Sequence, residues 1–113
     1  MNKYRDKSDF EINLRVAHII FTDSEYDVIK QSMEVVKFQN GNGKGTCHVF
    51  DPCNNPADTM PIIIENGISS LFNDDEWICS APYTEFLSIN ESLYRSAMEV
   101  FLMMKDAENE TNT

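Results

Sequence analysis

The eight residues "DPCNNPAD", at 51–58, forbid any regular element from running through the middle of this 113-residue chain. Pro52 and Pro56 each lack a backbone N–H and push the preceding residue out of the helical region. The asparagines and aspartates between and around them bend the backbone by bonding to it with their own side chains. Asn55 suits a helix N-cap, Pro56 the first helical position, and Asp58 the positive end of the helix dipole. The octet therefore predicts a corner, where an extended segment enters and a helix leaves. Its side chains Asp51, Cys53, Asn54, Asn55 and Asp58 are also the densest candidate cluster for a ligand site.

The segments on either side follow from their periodicity. "SDFE", starting at Ser8, is a capping box, with Ser8 as N-cap and Glu11 three residues on. Behind it Phe10, Leu14, Ala17 and Phe21 make an apolar helix face, which Ile12, Val16, Ile19 and Ile20 widen beyond one contact surface. Glu11, Arg15 and His18 share a narrow polar stripe. Such a helix is buried on two sides or offers its spare flank to a partner. "YDVIKQ", "MEVVKF" and "TCHVFD" are rich in β-branched and aromatic residues and predict strands, the last two joined by the glycine–asparagine loop "QNGNGKG". A short helix over residues 24–32, capped by Ser24, is the alternative to the first of these strands.

After the corner, "TMPIIIENG" continues as a short helix ended by Gly67. Pro61 either kinks it or marks its start with Asp58 as the cap. "GISSLF" and "EWICSAPY" are two further strand candidates around the polar turn "NDDE". A strong helix spans residues 91–105, with Leu93, Ala97, Val100, Phe101 and Met104 on its buried face and Arg95 and Glu99 four apart on the wet side. Residues 106–113 trail off as a flexible acidic tail. The expectation is one α+β domain over residues 1–105, an antiparallel sheet of about three to five strands packed with three helices.

Charge narrows the partners. Nineteen Asp and Glu against nine Lys and Arg leave a net charge of −10. That opposes direct binding to nucleic acid or to an anionic membrane, which needs clustered Lys and Arg. It suits docking onto a basic protein surface, and Asp74, Asp75 and Glu76 form the tightest acidic run. A hydrophobic fraction of 42% is that of a folded protein. The charged start "MNKYRDKSDFEINL" lacks the apolar core of a leader, and no apolar run reaches the length of a membrane span. The expectation is a reducing cytoplasm, with Cys47, Cys53 and Cys79 as free thiols.

The chemical motifs are incomplete. "GNGKGT" lacks the first glycine that a GxxxxGK[ST] phosphate loop needs, so Lys44 is a lone charge on a hairpin. Cys47, His48, Cys53 and Cys79 contain no CxxC-type pair, and neighbours on a strand point to opposite faces. Cys53 lies beside a predicted helix N-terminus that would lower its pKa. Neither His18 nor His48 is tied to it as a base. No catalytic, cofactor-binding or metal-binding residues are assigned, and no cofactor is expected.

Three stretches together carry a likeness. "SDFEINLRVA" at 8–17, "DPCNNPAD" with "PIIIENGIS" across 51–69, and "YRSAMEVFLMM" at 94–104 resemble the NinX-like proteins of lambdoid phages and prophages. Tyr94 stands where that pattern has leucine and Glu99 where it has an apolar residue, which makes the last helix wetter here. The resemblance implies a phage-derived protein made in the host cytoplasm, and it brings no catalytic residues, because the family is a domain of unknown function.

The expectation is a non-enzymatic accessory protein that binds a host or phage protein, with Ile12, Val16, Ile19 and the acidic run Asp74, Asp75 and Glu76 as its surface, or that pairs as a homodimer through the same surfaces. An acidic decoy for the basic cleft of a nucleic-acid enzyme is the second reading. A small ligand-binding or enzymatic module centred on the octet is the third.

Overall fold

The computed structural model describes residues 2–39 and 46–111. In chain order they form α1 (Asp9–Ile20), β1 (Tyr26–Ile29), β2 (Glu34–Phe38), β3 (Cys47–Phe50), α2 (Pro56–Asn66), β4 (Ser69–Asn73), β5 (Glu76–Ser80), β6 (Leu87–Asn90) and α3 (Leu93–Thr111).

Local signals set most of these boundaries. The Ser8 hydroxyl accepts the Glu11 N–H at 3.1 Å, and the chain turns extended again at Phe21. Residues 26–29 are a strand, not the alternative helix, and pair with β2, which pairs with β3 in an antiparallel meander. The Gln39 N–H donates to the Thr46 carbonyl at 2.9 Å at the loop end of that second hairpin. The glycine–asparagine loop between them, with the "GNGKGT" look-alike, lies outside the described residues. Asn55 caps α2, with Pro56 at its start. Gly67 ends the helix at φ 65°, a left-handed conformation in which glycine alone avoids a Cβ penalty. Pro61 lies inside α2 rather than at its beginning, so one N–H bond is missing without ending the helix.

The α+β class holds, but the sheet divides. Instead of one sheet there are two of three strands each, β1-β2-β3 (sheet A) and β4-β5-β6 (sheet B), both antiparallel. Each uses only strands consecutive in sequence, and the corner with α2 separates the two triplets. Asp74 and Asp75, at φ 52° and 66°, form the two-residue turn whose twist matches a tight hairpin between β4 and β5. β6 was not anticipated. It is four residues long, at the lower limit for an alternation to be read as a strand.

Two expectations about the last helix are overturned. α3 runs to Thr111, so residues 106–111 are helical rather than a loose tail. Arg95 and Glu99 are not on a wet side, because every residue from 95 to 103 is buried. α3 packs on β5 and β6 along one flank and on α1 and α2 along another, so its middle has no solvent face. The core gathers around it, with Ile12, Val16, Val35, Phe50, Ile62, Met98 and Phe101.

Candidate functional site

The octet is built into the framework. The Asp51 N–H donates to Asp58 at 2.9 Å, and the Asn55 side chain accepts the Ala57 N–H at 3.0 Å. Thr59 donates its hydroxyl to the Pro52 and Asn55 carbonyls. From α1, Asn13 reaches across to donate to Asp51 at 2.7 Å and accept the Cys53 N–H at 3.1 Å. Asn54 donates to Asp51 at 3.0 Å and to Asp9 at 3.1 Å. All five candidate residues are therefore close to one another, and each aspartate and asparagine uses at least one polar atom to hold the corner together or to tie it to the first helix.

Asp9 links this corner to a second, deeper cluster. The Arg95 guanidinium donates to Asp9 at 2.7 Å, to Glu99 at 2.6 Å, and to the carbonyls of Tyr4 and Lys7 at 2.9 and 2.6 Å. The second oxygen of Glu99 accepts from Asn2 and from Ser88, both at 2.6 Å. The N-terminal arm, α1, β6 and α3 thus meet on one buried ion pair. Burial works against the Arg95 charge, but the bonds to Asp9 and Glu99 more than offset it and hold the pKa above the usual arginine value. Among the described residues no buried side-chain polar atom lacks a partner. Tyr4, 2% exposed, donates its hydroxyl to Asp106; burial first and that bond second push its pKa up to about 12.

Cys53 departs from expectation. It is wholly buried, its backbone N–H is held by Asn13, and burial, reinforced by the Asp9 charge, pushes its thiol well above the ordinary range rather than lowering it. Cys79 is also buried and raised for the same first reason, while Cys47 is exposed, and all three are free thiols. Among the described residues no three His, Cys, Asp or Glu side chains converge as a metal site requires.

The surface differs from the one expected. Ile12 and Val16 are completely buried, so they present nothing to a partner; of that trio only Ile19, at 39%, reaches solvent. Ile19 borders a groove of about 600 Å³ between α1 and α3, where His18 and Tyr26 meet at 3.1 Å. The larger uncovered apolar area lies on sheet B. Its inner face, Cys79 and Ser88, packs on α3, with the Ser96 hydroxyl donating to the Ser88 carbonyl at 2.9 Å. On the outer face Leu71, Ile78 and Ile89 are direct cross-strand neighbours, with Leu87 one step further along β6. Leu71 is 63% exposed, Leu87 50% and Ile89 49%. The acidic turn Asp74–Asp75, with Glu76 beside it, borders this face, and between Thr46 and Tyr94 the chain has no Lys or Arg at all.

Sequence reasoning missed Leu87 and Ile89 because β6 went unseen, although the alternation in "LSIN" was there to find. It also missed the deep role of Arg95, since a spacing of four is equally that of an exposed pair.

The family described as Bacteriophage P22, NinX matches residues 3–105. No curated protein and no solved structure matches the chain. Among the described residues no helix is long and apolar enough to cross a membrane.

Proposed function

The chain belongs to the phage P22 NinX family, and from that premise we propose that it is a phage accessory protein that works by binding another protein in the host cytoplasm, without catalysis. The observation that carries this is the row Leu71–Ile78–Ile89–Leu87, an apolar strip on the solvent face of a three-stranded sheet whose other face is already packed. Apolar patches on soluble proteins mark interaction sites when they are contiguous, whereas single exposed leucines do not. Tyr83 adds an aromatic side chain fully in solvent, held at φ 60° in the loop between β5 and β6. The free thiols suit a reducing compartment. The octet offers less support for a ligand site, because its polar groups are engaged in capping and bridging.

A decoy reading has one observation of its own, the all-negative charge of residues 46–94. Affinity capture from a host lysate treated with nuclease, at low and raised salt, separates the two. The test compares the natural chain with the pair Leu87→Ser and Ile89→Ser, which are exposed enough to leave the fold intact. The adaptor reading expects one specific protein retained at raised salt and lost with the serine pair. Capture that ignores the serine pair, collapses in raised salt and is displaced by DNA selects the decoy instead.

A further inference from the structure

β4 is an edge strand without the usual protection. It pairs only with β5, all five of its residues are exposed, and its pairing is continuous from Ser69 to Asn73, with no bulge. The sequence SSLFN has no charge and no proline, the devices that normally keep an edge from acquiring a further strand. The opposite edge of sheet B is different, since β6 borders a cleft lined by Asn2, Arg5 and Met103 of the arm and α3. Both faces of β4 also carry uncovered apolar groups. Leu71 continues the outer strip, and Phe72, 54% exposed, lies on the helix side against Trp77 at 5.1 Å. Side chains of an added strand would find a cross-strand neighbour on each face.

Charge selects the occupant. Asp74 and Asp75 close the C-terminal end of β4 and no cation occurs in the sequence from Thr46 to Tyr94, while Glu76, which starts the next strand, shares its cleft with Arg5. A second copy would bring the same strand, with no positive group to meet those acids. An extended segment that alternates apolar with basic side chains meets both features.

We propose that β4 is a docking edge that takes up an extended basic segment of the partner protein as a fourth strand of sheet B. Backbone hydrogen bonds supply the pairing, the apolar side chains, all on one face of the added strand, cover Leu71, and Lys or Arg on the other face lies beside Phe72 and the Asp74–Asp75 turn. This rests on the protein-binding role proposed above and names its mode.

The test is an amide-resolved NMR titration of the full chain with an octapeptide of alternating lysine and valine, and with the same peptide methylated at alternate backbone nitrogens. Shifts and slowed hydrogen exchange are expected at residues 69–73. Methylation should weaken binding by about tenfold or more, because it removes strand hydrogen bonds and keeps the side chains. Asp74→Asn with Asp75→Asn keeps residues that tolerate the turn and should weaken binding while flattening its salt dependence. Equal binding of the methylated peptide, or responses confined to the edges at β1, β3 or β6, overturns the proposal. So does a dimer that protects β4 with no peptide present.

The two proposals fail separately. Peptide uptake at β4 with capture indifferent to Leu87→Ser and Ile89→Ser leaves strand addition standing and removes the outer-face reading. Capture that needs Leu87 and Ile89, with no peptide response at β4, does the reverse.

Discussion

Arg95 has a partner at every guanidinium nitrogen, and three of its acceptors are backbone carbonyls of the N-terminal arm. Removing one member of such a pair leaves the other charged and buried. Arg95→Met should therefore cost about 3–5 kcal/mol in urea unfolding, and Arg95→Met with Glu99→Leu should recover most of that loss. If the double variant is no better than the single, the pair is not the source of the cost. Tyr4 makes a second case. Its raised pKa favours the protonated phenol in the folded state, so the stability it contributes is complete below about pH 10 and disappears as pH rises toward about 12. Tyr4→Phe should be about 1 kcal/mol less stable at pH 8 through loss of the bond to Asp106. That deficit should shrink as pH rises through the window, as paired unfolding curves would show. Thiol labelling should find Cys47 reactive in the native protein, with Cys53 and Cys79 reacting only on unfolding.

Among the elements, α2 depends most on its ends. It is short, interrupted by Pro61, and has only Thr59 and Ile62 fully buried. Asn55→Ala should cost about 1 kcal/mol through the lost cap. Gly67→Ala should cost a similar amount, roughly 1 kcal/mol, and for a conformational reason. A Cβ there would meet Pro82 at an ordinary 3.7 Å, so the penalty comes from φ and not from a clash. Asn13→Ala should be the worse change, about 1–3 kcal/mol, because it leaves the Cys53 N–H buried without its acceptor. Were Asn13→Ala neutral, the corner would be held by its own turns and not by α1.

For the molecule as a whole, the two clusters form one path: the corner bonds to Asn13 and Asp9, Asp9 to Arg95, Arg95 to Glu99, and Glu99 to β6 and the arm. The path runs from the partly exposed corner to the buried Arg95–Glu99 pair, and the sheet B apolar strip faces solvent. A net charge of −10 surrounds both, and self-repulsion of that size destabilises the compact state. Raising salt from about 0.01 M to about 0.3 M should therefore raise the thermal midpoint, since exposed repulsion is screened while the buried pair is not. A midpoint that falls with salt would mean that surface ion pairs such as Lys3–Asp106 outweigh the repulsion.

Sequence by itself determined the punctuation of this protein. Ser8, Asn55, Pro56, Gly67 and the Asp74–Asp75 turn act through bonds and dihedral limits that span only a few residues, so their effect is present in the local order of side chains. The α+β class followed, as did five of the six strands among the described residues and the octet's identity as a corner. Tertiary structure alone decided which faces are wet. Arg95 and Glu99 have the same spacing whether α3 lies on a surface or in the centre. Only the meeting of sheet B with α1 and α2 around that helix buries them. The same packing covers Ile12 and Val16 and leaves Leu71, Leu87 and Ile89 uncovered, because burial depends on what lies opposite a side chain, and that neighbour is distant in the sequence.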